Sequence, residues 1–550
     1  MDTPCLCRPD AFRSPCAAVL LALSLAVPAA SPVSAASVGL SSVRAQTFEN
    51  EDLFFYEPEV ADRFGWSFAS GDFNGDGYAD LATGIPYDNG LAGGGLDNTG
   101  AVIVRWGGPG GLAPGIADTF LSQYASGSQS APESNDEYGF ALASGDFNGD
   151  GYADLAVGAP GDADPCSDSF PRTGSVSIHY GLPGGIQLAP EHLIIEGALV
   201  EGWCFPSGER FGGALASGDF NLDGWADLAV SASQGWVWNG TVSLRAGKLF
   251  VLYGHFGGLV PLDFQAVDQE TAGVHDIAQT GDEFGAALAA VDLNHDFRDD
   301  LAVGVPGEEG FGAVQIFVGS SSGFDWAQNT VWTEDQLLGA GGQSELGDRF
   351  GQSLAAGDFD YDGYDDLAMG DPSEDIGASS NTGMVLLSFG SANALAPTRV
   401  KQYLQSSIFG LPAYDGPNEH FGHALAAGDF DGDGAADLAM GIPLEDVGGA
   451  DRGGVAVLTG FNVAGNYSTY RFLSIGNSGL PPGLQNSSDA GRALGIGDFD
   501  DDGYADLVIG IPYWNEPGIA DSGRSTVLYG SFFSDGFEGG STFEWSAAVP

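Results

Sequence analysis

Residues Gly71 to Leu81, with the sequence Gly-Asp-Phe-Asn-Gly-Asp-Gly-Tyr-Ala-Asp-Leu, decide the fold of this 550-residue chain. Oxygen-bearing side chains stand at positions 1, 3, 5 and 9 of a nine-residue loop that starts at Asp72, and a backbone carbonyl is available at position 7. Gly77 at position 6 permits the positive φ of a tight turn. Calcium takes about six to eight oxygen ligands in a flexible geometry, whereas magnesium needs a stricter octahedron. Zinc prefers His and Cys, which the loop lacks, so the loop is predicted to bind Ca²⁺.

The same loop returns six times, beginning at Asp146, Asp219, Asp292, Asp358, Asp429 and Asp498. The seven starting positions run from 72 to 498, which gives an average period of 71 residues. An EF-hand is excluded because position 12, where it needs Glu, carries Thr83 in the first copy and an apolar residue in the others. A single copy would also fit an acidic turn without metal. Seven copies favour the metal, because crowded carboxylates repel one another unless a cation offsets their charge.

The predicted calcium ligands are the residues at positions 1, 3, 5, 7 and 9 of the loops, except that position 7 of the fourth loop is left out. They are Asp72, Asn74, Asp76, Tyr78, Asp80, Asp146, Asn148, Asp150, Tyr152, Asp154, Asp219, Asn221, Asp223, Trp225, Asp227, Asp292, Asn294, Asp296, Asp300, Asp358, Asp360, Asp362, Tyr364, Asp366, Asp429, Asp431, Asp433, Ala435, Asp437, Asp498, Asp500, Asp502, Tyr504 and Asp506. In the fourth loop Phe297 replaces the turn glycine, so that site is expected to be weak or empty. About five to seven structural calcium ions are predicted per chain.

Each loop lies inside a longer repeat that is predicted to form four strands. A polar residue and Phe-Gly open the repeat, as at residues 63–65, and a run of small residues follows, as at 141–145. After the loop come an apolar strand that ends in Gly-x-Pro (84–86), an alternating strand (101–106) and a less regular fourth strand (192–196). Small side chains suit an innermost strand near a crowded axis. The pattern predicts an all-β fold, a seven-bladed β-propeller of four-stranded antiparallel blades over residues 45–530.

The two ends of the repeat array are predicted to close the ring together. The seventh repeat has a third strand at 525–529 but no convincing fourth strand after it. Residues 46–56 precede the first Phe-Gly just as fourth strands precede the other repeats. An N-terminal outer strand is therefore expected to complete the last blade and remove a free sheet edge.

The Phe-Gly opening, the Asp-x-Asn/Asp-x-Asp-Gly-x-x-Asp loop and the Gly-x-Pro end resemble the FG-GAP repeats of integrin α-subunit head domains and their bacterial relatives. The resemblance covers roughly residues 45–530 and implies a seven-bladed propeller with calcium between the first and second strands of the blades. It also implies that the face opposite the metal loops is the ligand-binding face, as in integrins. The seventh repeat departs from the pattern because Ala490 replaces the Phe of Phe-Gly, and weaker packing is expected there.

The N-terminal segment 1–36 is predicted to be a cleaved export signal. Arg8 and Arg13 precede an apolar run at 17–27, and small residues at 33–35 suit cleavage. The run is too short for a transmembrane helix, so a secreted protein is expected, either free or held at the cell surface. The tail 531–550 follows the repeats and is either a sorting segment or disordered.

Two cysteines, Cys166 and Cys204, lie outside the predicted signal. In an exported chain a pair of cysteines favours a disulfide over a redox or metal site. Antiparallel connections place both residues on the face opposite the metal loops, which supports the pairing. The formal net charge of −58, from 75 acidic and 17 basic residues, argues against nucleic acid or an anionic membrane as a partner.

Long inserts on the face opposite the metal loops contain Trp203, Trp236 and Trp238. Exposed aromatic rings stack on sugars or anchor protein ligands, although rings in such inserts also simply pack loops. We therefore expect a non-catalytic adhesion or recognition module for an extracellular protein or glycan. The alternative is a hydrolase or lyase that acts on an extracellular polymer and uses the propeller as its scaffold. The Gly-x-Ser-x-Gly match at 319–323 aligns with turns after third strands and no helix follows it, so it is interpreted as a turn, and no catalytic residue is assigned.

Overall fold

A computed structural model of the chain describes residues 45–49, 59–89, 96–112, 117–124, 131–163, 172–188, 192–195, 208–259, 263–339, 344–396, 398–408, 416–446, 451–475, 480, 488–516 and 519–530. The strands form seven four-stranded antiparallel sheets, which are numbered blades 1 to 7 in chain order. The predicted seven-bladed propeller is confirmed.

The four strands of each blade follow one another from the centre of the propeller outwards. The innermost strands are Ser67–Gly71, Ala141–Gly145, Phe211–Gly218, Ala287–Val291, Ser353–Gly357, Leu425–Gly428 and Leu494–Gly497. The second strands are Asp80–Ile85, Asp154–Ala159, Asp227–Ala232, Asp300–Val305, Asp366–Asp371, Asp437–Ile442 and Asp506–Ile511. The third strands are Ala101–Arg105, Ser175–His179, Lys248–Leu252, Ala313–Phe317, Met384–Ser388, Gly454–Thr459 and Arg524–Leu528. The outer strands are Thr119–Leu121, His192–Ile195, Phe264–Val267, Asn329–Trp332, Val400–Tyr403, Thr469–Ser474 and, for blade 7, Ala45–Glu49.

The innermost strands surround a narrow central channel. Each of them contacts the innermost strands of the two neighbouring blades, and blade 7 contacts blade 1. The channel holds a cavity of about 300 Å³ that all seven blades line, largely with Ala, Ser, Leu and Gly. Small side chains are required because seven strands converge on one axis. This confirms the role predicted for the Ala-, Ser- and Gly-rich run.

The hydrophobic cores lie between successive blades. Every residue of the seven second strands is buried, as the run Asp80–Ile85 shows. A strand covered on both faces reads as a continuous apolar run rather than an alternating one. One cluster joins blade 7 to blade 1 through Phe64, Val527 and Tyr529, and six similar clusters join the other neighbours. The propeller is therefore stabilised mainly by blade-to-blade packing.

The Phe-Gly pair fixes the start of each blade against its predecessor. Phe64 is 1% exposed, and Gly65 has φ of +84°. A Cβ at Gly65 would lie 2.8 Å from the carbonyl oxygen of Arg524 in blade 7, so the close approach requires glycine. In blade 7 the corresponding Ala490 is fully buried, and Trp514 packs in the same cluster.

The N-terminal strand closes the ring as predicted. Ala45–Glu49 pairs antiparallel with Arg524–Leu528, so that Ala45 faces Leu528 and Glu49 faces Arg524. Blade 7 thus takes three strands from the end of the array and its outer strand from the beginning.

Short additional elements lie in the connections within and between the blades. They are the helix Glu334–Leu338, which Thr333 caps, the 3₁₀ turns Glu308–Gly310 and Gln405–Ser407, and two small hairpins, Gly181–Leu182 with Gly185–Ile186 and Trp236–Trp238 with Ser243–Arg245. No helix in the described ranges is long and apolar enough to cross a membrane. The predicted signal at 1–36, the tail at 531–550, the cysteines Cys166 and Cys204, and Trp203 lie outside the described residues.

Candidate metal loops and the opposite face

The seven predicted loops all connect an innermost strand to a second strand, so they lie on one face of the propeller, which is called the metal face below. The Gly-x-Pro ends of the second strands lie at the other end of the blades, on the opposite face. The aspartate at position 9 of each loop is also the first residue of the second strand, as Asp80 is in blade 1. The structure thus places every predicted ligand in one turn of its blade.

The position-9 aspartates are buried anchors for the metal face. In blade 1, Asp80 Oδ2 accepts the N–H of Phe73 at 3.0 Å and Oδ1 accepts the N–H of Gly107 at 2.8 Å. Gly107 follows the third strand, so one carboxylate joins two connections of the blade. In blades 2, 3, 5, 6 and 7 the position-9 aspartate accepts the corresponding two backbone N–H groups. In blade 4 it accepts the N–H of Gly319. Burial raises the pKa of Asp80 to about 7. Repulsion from neighbouring loop carboxylates also raises this pKa, whereas the two backbone hydrogen bonds lower it.

The position-1 aspartates shape the turn. Asp72 Oδ1 accepts the N–H groups of Gly75 at 2.7 Å and Asp76 at 3.1 Å, and Oδ2 accepts that of Gly77 at 2.9 Å. Gly77 has φ of +93°, which explains the glycine at position 6. Phe297 occupies this position in blade 4 with φ of +67°, and its ring is 68% exposed. The turn therefore forms in blade 4 at the cost of an unfavourable backbone conformation.

The loop oxygens fit a hard cation. In blades 5, 6 and 7, oxygens from positions 1, 3 and 9 lie within 4.8 Å of one another, in the sets Asp358, Asp360 and Asp366; Asp429, Asp431 and Asp437; and Asp498, Asp500 and Asp506. Oxygens about 2.4 Å from one Ca²⁺ are separated by at most about 4.8 Å. In blade 3, where position 3 is an amide, the buried Oδ1 of Asn221 has no hydrogen-bond donor. These oxygens are the kind that a calcium ion would satisfy.

Arginine side chains enter two of the loops, which the sequence analysis did not foresee. In blade 5 the guanidinium of Arg399 contacts the position-3 carboxylate of Asp360 and lies 3.1 Å from Oδ2 of Asp362 at position 5. In blade 4 Arg298 lies 3.4 Å from the position-5 carboxylate of Asp296. Arg399 lies eleven residues after the end of the third strand, so the loop pattern itself carries no signal for it. A fixed positive charge opposes binding of a cation at both loops.

Backbone hydrogen bonds connect the loops into a closed ring. The N–H at position 8 of each loop donates to the carbonyl at position 1 of the loop before it. Ala153 donates to Asp72 at 3.0 Å, and Ala79 of blade 1 donates to Asp498 of blade 7 at 3.2 Å. The remaining donor and acceptor pairs are Ala226 and Asp146, Asp299 and Asp219, Asp365 and Asp292, Ala436 and Asp358, and Ala505 and Asp429. A change in one loop therefore bears on both of its neighbours.

The opposite face carries a cluster of aromatic rings and arginines, called the arginine–aromatic patch: Arg63, Trp66, Tyr87, Arg492 and Tyr513. The guanidinium carbon of Arg63 lies 4.2 Å from the ring centre of Tyr87 and 4.8 Å from that of Tyr513. Arg492 lies 5.2 Å from the ring centre of Trp66. Within the described part of the chain Arg63 forms no ion pair, and its Nε has no hydrogen-bond partner. Such a cation is unusual in a chain with 17 basic and 75 acidic residues.

The patch lies beside the mouth of the central channel, because Trp66 also lines the channel cavity. Its members come from blades 1 and 7, from the residues next to Phe-Gly and next to Gly-x-Pro. Sequence reasoning missed them since each position by itself belongs to the repeat pattern. The predicted ligand residues Trp236 and Trp238 lie on the small hairpin of blade 3, where Trp238 is 60% exposed and Arg245 packs 5.9 Å from the Trp236 ring centre.

The Gly-x-Ser-x-Gly match is confirmed as a turn. Gly319 follows the third strand of blade 4, and the N–H of Gly323 donates to the carbonyl of Ser320 at 2.9 Å. The serine at the nucleophile position of the match is Ser321, which lies inside this turn, and the hydroxyl of the preceding Ser320 donates to the Gly323 carbonyl. No hydrogen bond joins Ser321 to a histidine among the described residues, so the base that a serine nucleophile needs is not found at this turn.

A family model for the FG-GAP repeat matches seven segments of the chain, one in each blade. They are residues 64–104, 138–179, 211–244, 284–317, 350–387, 421–458 and 490–528. The chain belongs to the FG-GAP repeat family. Each match starts at the Phe-Gly position and includes the metal loop, so the FG-GAP pattern accounts for all seven blades.

Curated relatives share this FG-GAP segment over part of their length. Phosphatidylinositol-glycan-specific phospholipase D of Rattus norvegicus is 35% identical over 170 residues, which is 30% of this chain and 18% of that protein. Integrin alpha-PS2 of Drosophila melanogaster is 36% identical over 179 residues, which is 32% of this chain and 12% of that protein. Among solved structures, the exotype rhamnogalacturonan lyase YesX matches at 13% identity with a TM-score of 0.40, over 88% of this chain and 76% of that chain. The FG-GAP chain thus spans less than a fifth of the length of these two curated relatives.

The prediction of a protein without catalytic activity is wrong, because the repeats that the FG-GAP chain shares with phospholipase D are part of an enzyme. The physical reason is that a propeller is a scaffold. Whether it binds or catalyses depends on the residues at its surface and on the chain attached to it, which the repeat pattern does not reveal.

Proposed function

We propose that this FG-GAP protein is an extracellular recognition module, stabilised by calcium in its loops, that binds a protein or glycan through its opposite face. The arginine–aromatic patch carries the proposal. Rings of Tyr and Trp offer rigid, amphipathic contact area, and a guanidinium offers several donors to a polar ligand group. Arg63 keeps this capacity because no described carboxylate pairs with it.

Calcium in the loops would serve the module as a structural element. The position-1, position-3 and position-9 carboxylates of blades 6 and 7 are placed to bind one ion each, and in blade 6 no arginine of the described residues contacts them. Binding would offset the repulsion between these carboxylates and fix the turn that positions the blade. The sites of blades 4 and 5 would be weaker, because Arg298 and Arg399 already neutralise their carboxylates.

An extracellular setting is supported by the family. Integrin alpha chains share the repeats, and the expected export signal at 1–36 would bring the protein to an oxidising, calcium-rich compartment. The distribution of charge agrees with a polar or neutral ligand in place of nucleic acid, since acidic residues outnumber basic ones.

The proposal is tested by measuring ligand binding to the patch. Purified protein in calcium would be screened on arrays of extracellular-matrix proteins and glycans, and the dissociation constant of the best ligand would be measured for Arg63→Gln and Tyr513→Ala. We expect each change to weaken binding about tenfold, as for a residue at the centre of an interface. Tyr361→Ala is the matched control, because Tyr361 is 72% exposed on the metal face. Equal affinity of patch variants and wild type, or no ligand on the arrays, would contradict the proposal.

The alternative of a hydrolase or lyase stays a prediction. The same arrays test this alternative when the extracellular polymers on them are examined for cleavage by mass spectrometry. Cleavage that Arg63→Gln abolishes would assign chemistry to the patch, whereas binding without cleavage would favour recognition.

A further inference from the structure

Four carboxylates meet at the junction of blades 4 and 5, on the opposite face. They belong to Glu334, Asp348, Asp371 and Glu374, and are called the interblade cluster. One oxygen from each residue lies within 4.8 Å of the others. Asp371 is the last residue of the strand Asp366–Asp371, whose first residue belongs to the metal loop of blade 5. Five strand steps of about 3.3 Å place the cluster about 17 Å from that loop, so the two are separate.

The four side chains are withdrawn from solvent. Their exposed fractions are 2% for Glu334, 4% for Asp348, 0% for Asp371 and 6% for Glu374. Asp348, Asp371 and Glu374 form no ion pair with any described basic residue. The nearby Arg349 directs its guanidinium to Glu283 in blade 4 and to Gln352. Buried carboxylates without a counter-charge are costly, so these three carboxylates need either protons or a cation.

Two oxygens of the cluster lack hydrogen-bond donors. Asp371 Oδ1 accepts the N–H groups of Arg349 at 3.0 Å and Ser373 at 3.1 Å, but its Oδ2 is buried without a partner. Oε2 of Glu374 is likewise buried without a partner. Burial raises the pKa of Glu374 to about 9, and repulsion from Glu334, Asp348 and Asp371 adds to this. Asp371 and Glu374 thus each have an unsatisfied oxygen, and the four residues together meet the requirement that two oxygens about 2.4 Å from one Ca²⁺ are at most about 4.8 Å apart.

At two other junctions between blades the corresponding acid has an amide donor as its neighbour. The residue two positions after the outer strand is Gln269 in blade 3 and Gln405 in blade 5, and the amide of Gln269 donates to Glu308 at 2.7 Å. Gln405 donates in the same way to Glu445. At the blade 4 and 5 junction this amide donor is replaced by the carboxylate of Glu334.

The last residue of the second strand supports the comparison. It is apolar in six blades, namely Ile85, Ala159, Ala232, Val305, Ile442 and Ile511, and it is Asp371 in blade 5. The junction of blades 4 and 5 thus has two additional carboxylates, Asp371 and Glu334. Glu334 replaces the amide that, at two other junctions, donates to the acid corresponding to Glu374. Repulsion between the four carboxylates would disfavour this combination, whereas a bound cation would offset the repulsion and use the additional carboxylates as ligands.

We propose that the interblade cluster binds a divalent cation of the calcium type, with one oxygen from each of Glu334, Asp348, Asp371 and Glu374. All donors are carboxylate oxygens, which suit a hard cation and not zinc. The ion would connect the helix Glu334–Leu338, which follows blade 4, to the start and the second strand of blade 5. It would be an opposite-face site in addition to the loops of the metal face.

The test counts calcium ions on the full chain by native mass spectrometry, for wild type and for Glu334→Gln. The variant restores the amide found at this position in blades 3 and 5, so folding is expected. We expect Glu334→Gln to bind one ion fewer than wild type. The matched control is Asp335→Asn, which removes a charge from the next, exposed residue of the same helix and should leave the count unchanged. An unchanged count in Glu334→Gln, or an equal loss in Asp335→Asn, overturns the proposal.

A variant in one of the metal loops distinguishes the interblade cluster from the loops in the same measurement. Asp502→Asn should remove one loop ion, and the double variant with Glu334→Gln should lack two. If the loops bind no calcium, wild type should still carry the one ion that Glu334→Gln removes. Thermal unfolding adds a second measurement: Glu334→Gln should melt above wild type in chelator and below it in calcium. A variant that melts above wild type in both conditions means that protons suffice, and overturns the proposal.

Discussion

A single arginine is expected to determine how tightly the blade 5 loop binds calcium. Arg399 contacts Asp360 and lies 3.1 Å from Oδ2 of Asp362, both of which are predicted ligands. A cation that enters this loop must displace the guanidinium or share carboxylates with it. The loop of blade 6 has the same three acidic positions without such a competitor in the described residues.

Arg399→Gln is therefore expected to raise the calcium affinity of the blade 5 loop about tenfold, because one opposing charge a few Å away is removed. Isothermal titration with calcium would measure the change. Lys401→Gln is the control, since Lys401 is the next cation along the strand and its Nζ bonds to Asn466 instead of to the loop. An affinity that stays the same in Arg399→Gln would show that the side chain leaves the loop without cost.

The buried position-9 aspartates predict how calcium-free protein responds to pH. Burial raises the pKa of Asp437 and of Asp506 to about 8, well above the unfolded value of 3.8. A carboxyl whose folded pKa is raised contributes stability that is complete below the unfolded pKa and is lost as pH rises through the folded pKa. Melting temperature of metal-free protein should therefore fall between about pH 4 and pH 8, the unfolded and folded pKa values of these groups.

Calcium should remove much of this pH dependence, because the ion binds the ionised carboxylates. The measurement is thermal unfolding at several pH values, on protein dialysed free of metal and on the same protein with calcium. A metal-free melting temperature that rises with pH would contradict the assignment of these buried groups.

At the scale of the strand, the N-terminal outer strand closes the propeller with few residues. Phe48 is 8% exposed and packs in the cluster that joins blades 7 and 1. The guanidinium of Arg105 in blade 1 lies 3.9 Å from its ring centre. One side chain thus contacts both ends of the repeat array.

Phe48→Ala is expected to lower the free energy of unfolding by about 3 kcal/mol, the usual cost of removing a buried ring. Chemical denaturation followed by tryptophan fluorescence would measure it. Val60→Ala is the control, because Val60 is 61% exposed near the same junction. A loss as small as that of the control would show that the outer strand of blade 7 contributes little to closure.

The strands and the clasp could be predicted from sequence because each repeat supplies the same signals in the same order. The third strand of blade 1 was expected at 101–106 and is Ala101–Arg105. The pairs across blades could not be predicted in this way. Arg399 reaches its loop from another connection, and Glu334 meets Glu374 only after blades 4 and 5 pack together. The small hairpin Trp236–Trp238 was also missed, since a long insert with few apolar residues resembles a loop.

At the scale of the whole molecule, calcium should act on all blades at once. The loops are joined in a ring of backbone hydrogen bonds, and the cores lie between blades, so a blade cannot loosen without affecting its neighbours. A chelator is expected to lower the melting temperature by more than about 10 °C in a single transition, as ligand linkage to the folded state predicts. Differential scanning calorimetry with and without calcium would measure it.

Two outcomes would contradict this view of the molecule. A melting temperature that does not respond to the chelator would mean that the loops are acidic turns without structural metal. Several separate transitions after chelation would mean that the blades unfold one by one, and that the ring of hydrogen bonds does not make them cooperative.

The pairing of Ala45 with Leu528 brings the two ends of the propeller side by side. A short linker could therefore join residues 45 and 530, and a circular permutant could begin and end elsewhere. The exposed tip of the blade 3 hairpin at Gly240 is a suitable break, because it lies outside the seven four-stranded sheets. Such a protein would have all four strands of blade 7 continuous in sequence, and blade 3, divided between the new ends, would join the chain termini instead.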